Sequence, residues 1–135
     1  MESACELNTN MTENEISYHI RGAIYAVYNE LGPGLLESIY QAALIVELEE
    51  KGLKVECEKK VDVYYHGKKL PVDYRIDILV DDKVIIELKS VQDMREVYFL
   101  QIKSYLKLTG KRLGILVNFN CEDINKNIWR IANKL

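Results

Sequence analysis

Apolar residues repeat at helical spacing up to Gly52 and at every second position from Val55 onward, and this change of period dictates helices first and a sheet afterwards. Ile16, Ile20, Ala23, Ile24, Val27 and Tyr28 fall three and four apart. Thr12 followed by Glu15 puts a hydroxyl and a carboxylate where the first free amides of a helix need acceptors. Gly32-Pro33-Gly34 stops that helix. A second helix is expected over about Leu35 to Lys51, closed by Gly52. Leu36, Ile39, Ala42, Ala43, Leu44, Ile45, Val46 and Leu48 make it apolar nearly all round, so it should be mostly buried.

Beyond Gly52, Val55, Cys57, Val61, Val63 and Tyr65 share one parity and predict a half-buried strand ending at a His66-Gly67 turn. Lys69 to Val80 predicts a second strand with Val72, Tyr74, Ile76, Ile78 and Val80 on one face. Val84-Ile85-Ile86-Glu87-Leu88 predicts a third, after a turn at Asp81-Asp82. Glu96 to Leu108, closed by Gly110, reads as a helix, and Leu113 to Val117 as a short strand buried on both faces. The tail from Ile124 to Leu135 leaves a short helix and an edge strand both open. The expected fold is α/β: a central mixed sheet flanked by helices. Its 135 residues fit a single core, placed at residues 12–135, after a polar, acidic start over residues 1–11 that reads as frayed.

Composition narrows the chemistry. Cys5, Cys57 and Cys121 are odd in number and far apart, and only His19 and His66 supply imidazoles, which argues against a disulfide framework and against zinc. A metal here would be held by carboxylates, and that selects a hard cation such as Mg²⁺ or Mn²⁺. No apolar run approaches the ~20 residues of a membrane span, and the start lacks the basic and apolar regions of a secretory signal, so a cytoplasmic location is expected. The net charge of −3 gives no global basic footprint for nucleic acid. Local footprints exist. Lys54, Lys59, Lys60, Lys68, Lys69 and Arg75 gather around the first hairpin, and Lys103, Lys107 and Lys111 form a stripe on the third helix.

Glu87 and Lys89 stand two apart on the third strand, so both side chains leave one face. Asp77 on the preceding strand joins them only in one register, with an odd loop centred on Asp82. A two-residue Asp81-Asp82 loop would put Ile86 opposite Asp77 and turn the two carboxylates to opposite faces. Carboxylates brought that close repel unless a proton or a cation lies between them. The bland alternative, a solvated face with weak ion pairs, sits poorly with the apolar neighbours Ile76, Ile78, Ile86 and Leu88. Glu37 shares a helical face with Tyr40, Gln41, Leu44 and Leu48. Either it merely favours the positive end of the helix dipole, or it needs a partner. Gln101 and Tyr105 form an i, i+4 polar pair on the helix after the third strand.

Gly34-Leu35-Leu36-Glu37-Ser38-Ile39-Tyr40 spells G-x-x-E-x-x-Y. With Asp77, the Glu87-Leu88-Lys89 triplet and Gln101-x-x-x-Tyr105, the chain resembles the GxxExxY family of the PD-(D/E)XK nuclease superfamily from about Glu13 onward. The resemblance implies the restriction-endonuclease-like core and a Mg²⁺ (or Mn²⁺) site. Asp77, Glu87 and the Leu88 backbone carbonyl would be ligands, with Glu37 completing the shell through water. It implies that Lys89 positions the attacking water or stabilises the phosphorane charge, and that Gln101, Tyr105 and Tyr40 support the site and orient the strand. Ile76 stands where the superfamily's name has proline. The implied function is hydrolysis of DNA phosphodiester bonds, in repair, defence or mobile-element biology, with a homodimer as one way to cut both strands. The competing reading is a catalytically weak nucleic-acid- or protein-binding module on the same fold, which the acidic net charge favours.

Overall fold

The computed structural model describes residues 10–135, so most of the segment expected to be frayed lies outside the described residues. Met11 is already packed against the core, and its carbonyl accepts from Lys83 Nζ at 2.6 Å. Among the described residues there are three α-helices, α1 (Glu13–Leu31), α2 (Glu37–Glu50) and α3 (Glu96–Thr109), and seven strands, β1 (Val55–Lys60), β2 (Tyr64–Tyr65), β3 (Lys68–Lys69), β4 (Arg75–Val80), β5 (Val84–Lys89), β6 (Leu113–Asn118) and β7 (Ile128–Ala132). The tail resolves into both of its alternatives, a 3₁₀ turn at Ile124–Lys126 and then an edge strand.

The main sheet has the order β1-β4-β5-β6-β7, with β5 and β6 parallel and every other neighbour antiparallel. Helices α1 and α2 pack on one face and α3 on the other, giving two apolar layers. Thr12 and Glu15 form the full capping box, and Gly32 and Gly110 end their helices at positive φ. The mixed α/β architecture is the expected one.

Three local expectations fail. Helix α2 is not mostly buried: Tyr40, Leu44 and Leu48 face the core, while Leu36 and Val46 are 71% and 53% exposed. Among the described residues α1, the sheet and Phe119 cover one side of it, so its apolar composition exceeds its contacts. The second strand begins at Arg75 rather than Lys69, because residues 64–69 fold into a separate two-stranded ribbon, β2–β3. Equal parity also fails to mean equal face on β1 and β4. Val55 packs with the α1/α2 layer and Val61 with the α3 layer; Ile78 and Val80 lie in the first layer, Tyr74 and Ile76 in the second. Both strands switch faces at the same level, where Glu58 would pair with Asp77. Pairing runs Cys57↔Ile78 and resumes at Lys59↔Ile76, and Glu58 sits at φ 50°. On β1 the left-handed Glu58 inverts the side-chain alternation that a continuous strand would keep, and β4, paired with β1 on either side of that level, follows it.

Candidate active site

The β4–β5 hairpin closes through the three residues Asp81-Asp82-Lys83, centred on Asp82, as the odd-loop register requires. Its pairs are Val80↔Val84, Leu79↔Ile85 and Ile78↔Ile86. Asp81 and Asp82 adopt positive φ, which aspartate tolerates better than most residues, and Lys83 N–H closes on the Val80 carbonyl at 3.0 Å.

Below Ile78↔Ile86 the two carboxylates cross. The Asp77 N–H donates to Glu87 Oε2 at 2.8 Å, and the Leu88 N–H donates to Asp77 Oδ2 at 3.0 Å. Each acid is thus fixed by the other strand's backbone, and the two are held together. Glu87 is only 4% exposed. Burial, and then the charge of Asp77, pushes its carboxyl up to about 9. Burial likewise raises Asp77, against the opposing hydrogen bond from Leu88, with further upward pushes from Glu58 and Glu37. Two apposed acids that resist simultaneous ionisation must hold a proton or a cation at neutral pH.

Lys89 makes no ion pair with either acid among the described residues. Its Nζ lies 4.5 Å from the centre of the Tyr98 ring on α3, and its charge favours ionisation of both Asp77 and Glu87. Tyr105 is buried, donates to the Arg75 carbonyl at 2.5 Å and accepts from Gln101 Nε2 at 3.3 Å. Burial, then the nearby Glu87, raises its phenol well above the ordinary value. The Gln101–Tyr105 pair therefore grips β4 two residues before Asp77.

Glu37 lies in the first turn of α2, exposed and without a side-chain hydrogen bond among the described residues, close enough for its charge to act on Asp77. Tyr40 points the other way: its ring stacks on Phe119 at 4.4 Å, and its hydroxyl donates to the Gly32 carbonyl and accepts from Leu35 N–H. With Gly34 at φ 93°, Tyr40 ties down the turn that presents Glu37. Ser90 Oγ donates to the Leu35 carbonyl at 2.6 Å and joins this turn to the end of β5. Among the described residues, no three His, Cys, Asp or Glu side chains converge at metal-binding geometry. The structure brings Asp77 and Glu87 together and leaves Glu37 at the margin.

Three contributors have no role in the sequence reading. Gln41 Nε2 donates to the Asp77 carbonyl at 3.0 Å and to Glu58 Oε1 at 3.3 Å, filling the gap where the β1–β4 ladder is interrupted. Glu58 is thereby an additional acid beside Asp77. Buried Asn118, paired with Lys89 across β5–β6, accepts from Val91 N–H and donates to the Val91 carbonyl, fixing the turn after Lys89. The Gln41 face was visible in the helical wheel; Glu58 and Asn118 carried no local signal.

Residues 14–131 match the family model described as the PD-(D/E)XK nuclease superfamily. The chain belongs to the PD-(D/E)XK nuclease superfamily. No curated protein and no solved structure gives a significant match. The five-stranded mixed sheet flanked by helices is consistent with the PD-(D/E)XK fold, and membership implies nuclease-like function on a nucleic-acid substrate. PD-(D/E)XK nucleases typically use divalent metals. The donor set here suits one: buried Glu87 and half-buried Asp77 offer hard oxygens, and a cation between them would relieve the repulsion that raises Glu87. No helix among the described residues is long and apolar enough to cross a membrane.

Proposed function

We propose that this chain is a Mg²⁺-dependent nuclease domain that hydrolyses phosphodiester bonds of DNA, within the GxxExxY group of its superfamily. The crossed Asp77–Glu87 pair carries the reading, because a solvated surface pair has no reason to have one acid buried, the other half-buried, and both fixed by backbone amides. Asp77 and Glu87, with the Leu88 backbone carbonyl, would hold Mg²⁺ (or Mn²⁺), and Glu37 would reach it through water. When bound, the cation supplies Lewis acidity toward the scissile phosphate and lowers the pKa of a water.

The protein's own residues do the rest. Lys89 contributes a fixed positive charge for the oxygens that gain charge in the transition state. Tyr98 keeps that charge beside the acids. Tyr105 and Gln101 hold β4 in place so that Asp77 stays aligned. The turn built by Gly34 and Tyr40 presents Glu37, the physical use of that spacing. DNA repair, defence or mobile-element traffic in the cytoplasm would supply substrate, and a homodimer would bring two such sites to a duplex.

The test pairs calorimetric Mg²⁺ titration with cleavage of labelled DNA. Wild type should bind the cation and cut only in its presence, and Lys89→Ala should bind it and cut poorly. Equal cutting by Glu87→Gln and wild type would refute the assignment. Metal binding without cutting would favour the weak binding module, a reading supported by exposed Glu37 and the acidic net charge.

A further inference from the structure

The ribbon β2–β3 is an outlier on this acidic molecule. Between Lys59 and Arg75 the chain carries five basic residues against two acidic ones, a local net charge of +3 within a total of −3. The ribbon's pairs are Tyr64↔Lys69 and Tyr65↔Lys68. Directly opposite residues of an antiparallel pair share a face, and successive residues alternate faces. Each face of the ribbon therefore presents one tyrosine beside one lysine.

Both tyrosines are exposed, Tyr64 by 60% and Tyr65 by 64%. Neither ring contributes to either apolar layer. Large aromatic surface left in water has no folding purpose here, since the ribbon is held by backbone bonds such as Leu70 N–H to the Val63 carbonyl and Val61 N–H to the Tyr74 carbonyl. His66 at the turn, φ 52°, stacks on Tyr65 with ring centres 4.2 Å apart and planes 12° apart. Lys69 is paired with Asp62 at 3.2 Å, and Lys59 with Glu56 at 3.1 Å. Lys60 and Lys68 enter no ion pair among the described residues and stay available.

The ribbon continues directly from β1 and β4, the two strands that carry Glu58 and Asp77, whose last pair is Lys60↔Arg75. At ~3.3 Å per extended residue, Tyr64 lies at most about 20 Å along the chain from Glu58. The grip and the acids thus belong to one end of one pair of strands.

We propose that the ribbon grips single-stranded nucleic acid: an unpaired base stacks on the Tyr65–His66 rings while Lys68 and Lys60 hold the adjoining phosphates. Interleaved aromatic and basic side chains are what a flexible strand needs, because every base has a face to stack and every nucleotide a charge to neutralise. A duplex fits less well, since its bases are already stacked and must be unstacked to meet a protruding ring. This assignment rests on the nuclease reading for its partner class and deepens it by naming the strandedness.

The experiment is fluorescence anisotropy with one labelled oligonucleotide as single-stranded DNA, as single-stranded RNA and as duplex DNA, in chelator so that nothing is cut. Wild type should prefer a single strand. Tyr65→Ala should weaken that binding by about 5- to 100-fold, the cost of losing one stacked base, and change duplex binding about twofold or less. Tyr65→Phe should restore it. Lys68→Ala should lower the slope of affinity against salt by about 0.7. Loss in either the DNA or the RNA arm supports the grip and identifies the polymer. The proposal is overturned if the Tyr64→Ala/Tyr65→Ala protein binds single strands as wild type does, if wild type prefers duplex, or if it binds neither at micromolar protein. Cutting is measured separately with Mg²⁺. Cutting by wild type alongside unchanged binding by the ribbon variants defeats the grip alone. Lost binding in those variants alongside a wild type that never cuts defeats the nuclease reading alone.

Discussion

Two hairpins share strand β4, one formed by β4 with β5 and one running on from β1 and β4, and they treat charge in opposite ways. The β4–β5 hairpin buries Glu87, half-buries Asp77 and fixes both with backbone amides. The β2–β3 ribbon leaves its rings and lysines in water and contributes two residues per strand. Repulsion at the first is sustained because Ile85, Ile86 and Leu88 are packed on both faces of the sheet and cannot yield. An isolated two-stranded ribbon is marginal on its own and can adapt to whatever it meets. The contrast teaches a division of labour: unfavourable electrostatics sit where the core is stiffest, and contact surface sits where deformation is cheapest.

The comparison is sharpened most by Glu87→Gln. The amide still accepts the Asp77 N–H and, unlike the carboxyl, needs no proton to stay neutral beside Asp77. Metal-dependent cutting should fall by about 10²-fold or more, while removing the need to take up a proton on folding should raise Tm at pH 8, at about 3–5 °C per kcal/mol for a domain of this size. A variant that loses activity and also melts earlier would mean that the buried pair is not strained.

Next comes the pH profile without metal. Glu87 is raised from 4.5 to about 9 in the folded state, so between those values the folded chain holds a proton that the unfolded chain has released. Stability should therefore decline as pH rises from about 4.5 to about 9 and level off above. Asp77 adds to the same trend. Saturating Mg²⁺ should flatten the decline by taking the proton's place. Thermal melts across this range, in chelator and in Mg²⁺, check it; a Tm that climbs toward pH 9 in chelator contradicts the buried-pair account.

Smaller still is Tyr105→Phe, which leaves the Arg75 carbonyl without its phenol donor. The expected cost is about 1–3 kcal/mol in a denaturant melt. Cutting should slow through kcat with KM nearly unchanged, because the residue positions β4 and touches no substrate. The smallest effect is expected in the ribbon. Tyr64→Ala and Tyr65→Ala should shift stability by no more than about 0.5 kcal/mol, since neither ring packs in the core. A large drop in Tm would show that the ribbon supports the fold after all.

Much of this was legible in residue order. The capping box at Thr12 and the stops at Gly32 and Gly110 follow from local stereochemistry, and the odd loop centred on Asp82 is what Asp77 and Glu87 need if they are to share a face, a two-residue loop being the alternative. The pairing Ile78↔Ile86 confirms the register needed for Asp77 to meet Glu87. Parity misled at Val61 and Ile76 because alternation assumes an unbroken strand, and a non-glycine residue at positive φ such as Glu58 announces nothing in the sequence. The exposure of α2 was hidden because composition reports what a helix could bury, not what is there to cover it.

By itself, then, the sequence determined the main helices and strands and the one register in which Asp77 and Glu87 could face one another, since each depends on backbone geometry over a few residues. Only the tertiary structure decided that Glu58 and Gln41 join Asp77, that Tyr40 and Tyr105 hold the framework, and that Glu37 stays at the margin. Those outcomes depend on contacts between residues 8 to 36 positions apart, and in two cases on a ladder interrupted at one level. Distances of that kind are fixed by how layers pack, which no local pattern encodes.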